Sequence, residues 1–472
     1  MHKPRLVFLQ KDWEDNLGVQ WVCSYVQAHG FDARILVEEK NTYKELAYLN
    51  PAVVGYSCMT GQQTWVRESV RKARAAGMTS LCLMGGPHPT FFPEELEASE
   101  VDGICRGEGE SVVLSLLQAL EAGDNYRSLL GTWWKADGQS IRNPMALLLE
   151  DLDTLPPPDR SYYGRYPFLA TNPYKTFITG RGCPFNCTFC FNHALVELYG
   201  KPARYIRRHS PEYVLDDLLR VQRAWGLDEV RFSDDHFTMD IQWLRAFLPA
   251  YSKHVGRPYS VNARVDTLSE EKIAMLAESG CRLVCFGVET GREDLRNAVL
   301  KKVITNDHIH EAARLLKKYK IPFLTSNIIG LPNETPRDAW ATVRLNQKIR
   351  TPLPWYSMMQ YFPGTQIFDQ AVAAELITCD FTPDMITSYF SNEYIRQPHM
   401  KELRNIHSLS IITTRLPCLT PLVRWLARQV PPNAFFRFLF ALSNGVLAAR
   451  RARFPLLRMI KGFRYYLKKV FV

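Results

Sequence analysis

Three cysteines crowd into one short loop, GRGCPFNCTFCFN at residues 180–192, where Cys183, Cys187 and Cys190 are spaced Cys-x3-Cys-x2-Cys. A structural zinc site takes four protein ligands, so three thiolates are one short unless a distant residue joins them. An iron-sulfur cube held by three thiolates is different, because its fourth iron stays open to bind another molecule. The alternative is three reduced thiols with no shared role.

The elements around this loop form two series. The chain has 472 residues, 46% hydrophobic and 22% charged, a soluble globular mixture long enough for two or three domains. Its eleven cysteines are too few and too scattered for a disulfide framework, and no cationic, apolar, cleavable segment opens the sequence, so a cytoplasmic location is expected. Apolar runs such as RLVFLQ, DARILV, PAVVGYS and SLCLMGG alternate with helical stretches up to about Leu120. That pattern predicts an α/β fold with a doubly wound, Rossmann-like sheet over residues 1–145, whose ligand would sit beyond the carboxyl ends of the strands. The prolines of DLDTLPPPDR mark a linker, assigned to 146–172. Six further apolar runs, from KTFITG to WYSMMQYF, alternate with helices over 173–381 and predict a partial (β/α)6 barrel. A helical C-terminal region, 382–472, completes the chain.

The cysteine loop follows a barrel strand and carries Phe189 just before its last thiol, and in this it resembles the signature loop of the radical S-adenosylmethionine (SAM) enzymes. The resemblance implies a [4Fe-4S] cluster on Cys183, Cys187 and Cys190, with SAM chelated at the open iron. One electron, supplied by a protein such as flavodoxin or ferredoxin, would then cleave SAM to a 5′-deoxyadenosyl radical that takes a hydrogen atom from substrate. Phe189, Asp234 and Asp235 of FSDDHFT, Arg264 of NAR, Glu289 of FGVETG, and Gly330 and Leu331 of IIGLPNET are the expected SAM contacts. Carboxylates there suit the amino group or ribose, and the planar Arg264 fork suits the SAM carboxylate. Two plainer readings stand beside these: Asp234 as a helix cap and Glu289 in a structural ion pair.

The first domain resembles the cobalamin-binding domain that precedes the barrel in one branch of this family, on the strength of VVGYS, MGGPHPTFFPEEL and VDGICRGEGE. Expected cobalamin contacts are Asp15, Asn16, Leu17, Gly18, Ser57, Thr60, Gln62, Gly85, Gly86, His88, Gly107 and Glu108. The Asp-x-His-x-x-Gly motif that would supply an axial histidine is absent, since the matching stretch reads KDWEDNLG. Bound cobalamin is thus expected with its own base displaced and no histidine beneath cobalt, and His88 is expected at the corrin edge. The resemblance implies methyl transfer to an unactivated carbon as the activity. Oxidative cyclisation or rearrangement is the alternative within the family, and a non-catalytic iron-sulfur or cobalamin carrier, or a remnant domain that binds nothing, the alternative outside it.

Charge is concentrated at the C-terminus. Residues 401–472 hold fourteen Lys and Arg against Glu402 alone, a net of +13, which leaves −3 for the rest of a chain whose total is +10. These cations, including Arg424, Arg428, Arg437, Arg450, Arg451 and Arg453, are interleaved with Leu, Phe and Trp. Such a pattern fits peripheral attachment to the inner face of a membrane and a lipid-like substrate better than it fits nucleic acid, which does not require the aliphatic bulk. The competing reading makes these helices a cover for the barrel.

Overall fold

The computed structural model of the chain describes residues 5–136, 138–202, 204–378, 380–386, 390 and 392–452. Two compact units divide it, one comprising 1–182 with 194–231 and the other 183–193 with 232–472.

The first unit is built on β1 (Arg5–Gln10), β2 (Asp32–Val37), β3 (Val53–Ser57), β4 (Leu81–Gly85), β5 (Gly103–Cys105), β6 (Thr132–Ala136) and β7 (Gln139–Arg142), in the order β2-β1-β3-β4-β5-β6-β7. The first five run parallel. Side chains alternate between the faces of a strand, so Leu6 and Phe8 of β1 enter one core with Val19, Val22 and Ile35, while Val7 and Leu9 enter another with Val54, Val66 and Val70. Both faces are therefore covered, as a doubly wound sheet requires. The β6–β7 hairpin adds two antiparallel strands that the apolar pattern did not announce. It packs through Trp134 against Gly103, where a Cβ would lie 2.4 Å from the indole.

The proline-rich stretch is no free tether. Leu152 and Leu155 pack with Leu17 and Trp21, and Tyr163, Tyr166 and Leu169 join the β1 core. Short 3-10 turns capped by Asp151 and Asp159 fold it back onto the unit.

Strands β8 (Tyr174–Phe177), β11 (Glu229–Phe232), β12 (Tyr259–Ala263), β13 (Cys281–Glu289), β14 (Phe323–Ile329) and β15 (Leu353–Met358) lie at the six apolar runs expected of the partial barrel, and the last four form a sheet in the order β15-β14-β13-β12; β9 (Gly180–Arg181) and β10 (Arg207–Arg208) pair separately. Within the second unit β12 to β15 run parallel. Their intervening helices begin at strong caps, Ser269 for Glu270–Glu278 and a Thr305/His308 capping box for Asn306–Lys318. Three C-terminal helices follow, Met400–Arg415, Thr420–Gln429 and Ala434–Ala452. Leu403, Ile406, Leu409, Val423, Phe436 and Phe440 from them share a core with Leu324, Tyr356 and Met358, so these helices do cover the barrel. Arg453 and the remainder of the basic tail lie outside the described residues.

Candidate active site

In the second unit the cysteine loop is pinned by its backbone rather than by its thiols. Thr188, fully buried, donates its N–H to the Leu300 carbonyl at 3.0 Å and its hydroxyl to the Val299 carbonyl at 2.8 Å, and its own carbonyl accepts the Ile367 N–H at 3.1 Å. Cys187 is buried, with Cys183 and Cys190 half-buried on either side. Burial pushes all three thiols up, Cys190 to about 11. Cationic metal on the sulfur reverses that preference by stabilising the thiolate. Among the described residues no three His, Cys, Asp or Glu side chains gather to hold a single metal ion. A cube asks for something else, one iron for each thiolate.

Two polar groups steady this loop. The Arg264 guanidinium lies 3.9 Å from the centre of the Phe185 ring, donates through Nη1 to Cys187 Sγ at 3.8 Å, and is ion-paired with Asp266 at 2.9 Å. With Nη2 also donating to the Val303 carbonyl, three of its five N–H groups are engaged and two remain. Asn192 donates to Cys190 Sγ and also to Asp235, whose carboxyl burial pushes up against that bond. Asp234 is buried beside it, and the cap of the next helix is Asp240, so Asp234 is not a helix cap.

At the end of β13, Glu289 adopts φ +60°, a left-handed backbone rare outside glycine, and its carboxylate meets Lys302 Nζ at 2.6 Å. The plainer ion-pair reading of Glu289 therefore describes this geometry. After β14, Glu334 Oε2 accepts the N–H groups of Gly330 and Leu331, while its Oε1, buried, has no hydrogen-bond partner among the described residues. Burial pushes the Glu334 carboxyl up to about 8, against the pull of those two N–H groups. Phe189 packs against the neighbouring core.

The first unit contains a cavity of about 270 Å³ beyond the carboxyl ends of β1, β3, β4 and β5. Gly18, Ser57, Gly85, Gly86, Gly107 and Glu108 line it with Trp21, Cys105, Glu110 and Arg181. In the strand order 2-1-3-4-5 this is the place where the winding reverses and ligands bind. Gly86 and Gly107 have φ of +94° and +83°, and a Cβ on Gly86 would stand 2.9 Å from the Cys58 carbonyl. One wall is a charge network. Arg181 pairs with Glu108 at 3.2 Å and Glu110 at 2.6 Å, and Arg207 pairs with Glu108 at 2.6 Å. Burial raises the Glu108 carboxyl, but Arg207 and Arg181 outweigh it and hold the group below the usual carboxylate range.

The geometry has parallels in known proteins. Residues 177–345 match the radical SAM superfamily, and residues 10–117 match the B12 binding domain. The chain carries a radical SAM domain and a B12-binding domain. It is 28% identical over 398 residues to an uncharacterized methyltransferase, PH0819, of Pyrococcus horikoshii, covering 80% of this chain and 84% of that one. An anaerobic magnesium-protoporphyrin IX monomethyl ester cyclase of Rubrivivax gelatinosus is 25% identical over 370 residues, 75% of this chain and 65% of its own. In fold it is similar to the radical S-adenosylmethionine methyltransferase TsrM from Kitasatospora setae, with a TM-score of 0.71 at 16% identity, over 95% of this chain and 100% of that chain. Its cofactors are accordingly a [4Fe-4S] cluster, SAM and cobalamin, and the three-thiol loop and the glycine-lined cavity fit them.

Not every expected cobalamin contact of this radical SAM enzyme borders the cavity. Asp15 pairs with Arg160, Asn16 caps the Leu17–Ala28 helix, Leu17 faces the Arg160 side, and Gln62 donates to Asp12 at 2.7 Å. Thr60 bonds to His88 Nδ1 at 3.3 Å. His88 is fully buried, its Nε2 lies 3.4 Å from Glu95, and among the described residues no histidine lines the cavity. His88→Ala should therefore leave the visible spectrum of bound cobalamin unchanged; a shifted cobalt band in that variant would place the imidazole at the metal after all. The sequence reading missed Trp21, Glu110 and Arg181. Arg181, half-buried and paired with two glutamates, with Trp21 5.2 Å from its guanidinium, lies two residues before the first loop cysteine, and that adjacency was the available signal.

Proposed function

We propose that this enzyme transfers a methyl group to an unactivated carbon of a hydrophobic, lipid-like substrate. When bound, the cluster with SAM supplies a carbon radical by one-electron cleavage, and cobalamin supplies the methyl group. Cys183, Cys187 and Cys190 would hold the cluster, with Arg264 and Asn192 orienting the loop. Asp235 and the two uncommitted N–H groups of Arg264 would receive the SAM amino group and carboxylate, and the backbone at Gly330 and Leu331 its adenosine. Glu108, Gly85, Gly86 and Gly107 would border the cobalamin, with working domain limits of 1–145 and 173–381.

The observation that carries this reading is the cavity at the strand ends of the first unit, lined by glycines and, among the described residues, by no imidazole. A corrinoid seated there would be bordered by glycines and Glu108 and by no imidazole among the described residues, which suits a carrier that must give up its methyl group. Electron delivery by a small reductant protein belongs to the same reading. Among the described residues no helix is long and apolar enough to cross a membrane. The cyclase relative keeps oxidative ring closure as the second reading. Anaerobically reconstituted enzyme, given SAM, a reductant and extracted lipids, should form 5′-deoxyadenosine together with S-adenosylhomocysteine. Deoxyadenosine alone would favour ring closure, and neither product would leave a carrier.

A further inference from the structure

The C-terminal helices cover the barrel with one face and leave a second apolar face uncovered among the described residues. On the Ala434–Ala452 helix, Phe436, Phe440, Ala441 and Leu447 are buried, and Phe440 lies 4.3 Å from the His407 ring. Its other side carries Phe435, Phe438, Leu442 and Val446, spaced three, four and four residues apart and hence in one row. These are exposed by 63%, 45%, 44% and 47%. On the Thr420–Gln429 helix, Leu422 and Trp425 are exposed by 54% and 60% at a spacing of three. Large apolar side chains concentrated in this way on a surface mark a contact site.

The charges say what the contact is. Arg415, Arg424, Arg428 and Arg437 are exposed among these apolar groups, and no Asp or Glu follows Glu402 anywhere in the sequence. We propose that the outer face of the Thr420–Gln429 and Ala434–Ala452 helices docks onto an anionic lipid bilayer, with Trp425, Phe435 and Phe438 inserted at the headgroup level and the arginines paired with lipid phosphate. A second copy of the chain fits the face poorly, because it would bring two sets of arginines together with no acid between them. Nucleic acid would use the arginines but leave the aromatic row in water. The face is interfacial rather than spanning, since Arg437, Ser443 and Asn444 interrupt the longer helix. This inference deepens the function proposed above and rests on it for its purpose, the supply of a lipid-like substrate.

The test uses the full-length reconstituted enzyme. It should sediment with phosphatidylcholine vesicles containing phosphatidylglycerol, and roughly tenfold less with phosphatidylcholine alone. Raising NaCl from about 50 mM to about 500 mM should weaken but not abolish the association. The double variant Trp425→Ser/Phe438→Ser should lose roughly tenfold in vesicle partitioning with an unchanged thermal midpoint, because neither side chain belongs to the core. Bromine-labelled lipid should quench a Trp signal that Trp425→Phe lacks. No sedimentation of the wild type with anionic vesicles overturns the proposal, as does equal binding by the double variant. A lipid-free dimer lost in that variant, or tighter binding to duplex nucleic acid than to vesicles, would give the face to another partner. Deoxyadenosine release measured without lipid separates the two ideas: a wild type that docks but never cleaves SAM refutes the proposed chemistry alone, and one that cleaves but never docks refutes the face alone.

Discussion

Cys183→Ala, Cys187→Ala and Cys190→Ala are each expected to abolish 5′-deoxyadenosine formation and to lower bound iron from about four per chain towards background. Each thiolate would occupy one corner of the cube, so no neighbour could substitute for the one removed. The protein itself should survive, because the loop is held by the backbone and hydroxyl bonds of Thr188 and by the Phe185–Arg264 contact, none of which involves a cluster sulfur. Cys281 and Cys285 provide the control. Both are buried in β13, and Cys281 Sγ points to the Leu283 carbonyl at 3.6 Å, away from any such role. Their Ala variants should cost about 1 kcal/mol of stability through lost packing and leave the iron content alone. Full SAM cleavage by the triple Ala variant of the loop would remove the cluster assignment, and iron loss in Cys285→Ala would move it.

The parts of the molecule that were legible in the sequence share a local cause. Parallel strands buried on both faces must be continuous apolar runs, so RLVFLQ and LVCFGVET announced β1 and β13. The cysteine spacing was equally local. What escaped depends on residues brought together from far apart. Arg181 became part of the cavity wall only because β9 pairs with β10, which sets Arg207 against Arg181 and gathers both around Glu108. Three consecutive prolines fix the backbone but are silent about Leu152, Leu155 and Tyr163 alongside them, and those side chains bury that stretch. In the third C-terminal helix, Phe435 and Phe436 read alike in sequence. Only the packed barrel decides that Phe436 goes inward and Phe435 stays in water.

A drop from pH 7 to pH 5 is expected to cost each unit the contribution of one buried histidine, and in the second unit the Glu334 carboxyl, pushed up to about 8, works the other way over the same window because its native form binds the proton more tightly than its unfolded form. His209 is 1% exposed, stacks on Tyr213 at 4.0 Å, and burial lowers it to about 4 despite the Asp153 carboxylate 3.0 Å from Nδ1; Asp151 also raises it, and Arg181 lowers it further. His407, buried among Phe390, Phe440 and the Tyr356 carbonyl, is likewise lowered to about 4 by burial. An unfolded histidine takes its proton near pH 6.5, whereas each of these stays neutral until about 4. Between those values each histidine binds its proton more readily in the unfolded chain than in the native one, so its contribution to stability is full above about pH 6.5 and falls as the pH is lowered. Each group accounts for about 2 kcal/mol between pH 7 and pH 5, and about 3 kcal/mol by pH 4. The carboxylates held low, Glu108 and Asp153, give up their contribution only below about pH 4, outside this window. His209→Gln and His407→Gln keep an N–H for Asp153 and for the Tyr356 carbonyl but cannot take a proton. In urea denaturation the stability difference between the double variant and the wild type should shift in the variant's favour from pH 7 to pH 5 by the two histidine contributions together, whatever Glu334 adds equally to both proteins. The same pH dependence in both proteins would assign the titration to other groups.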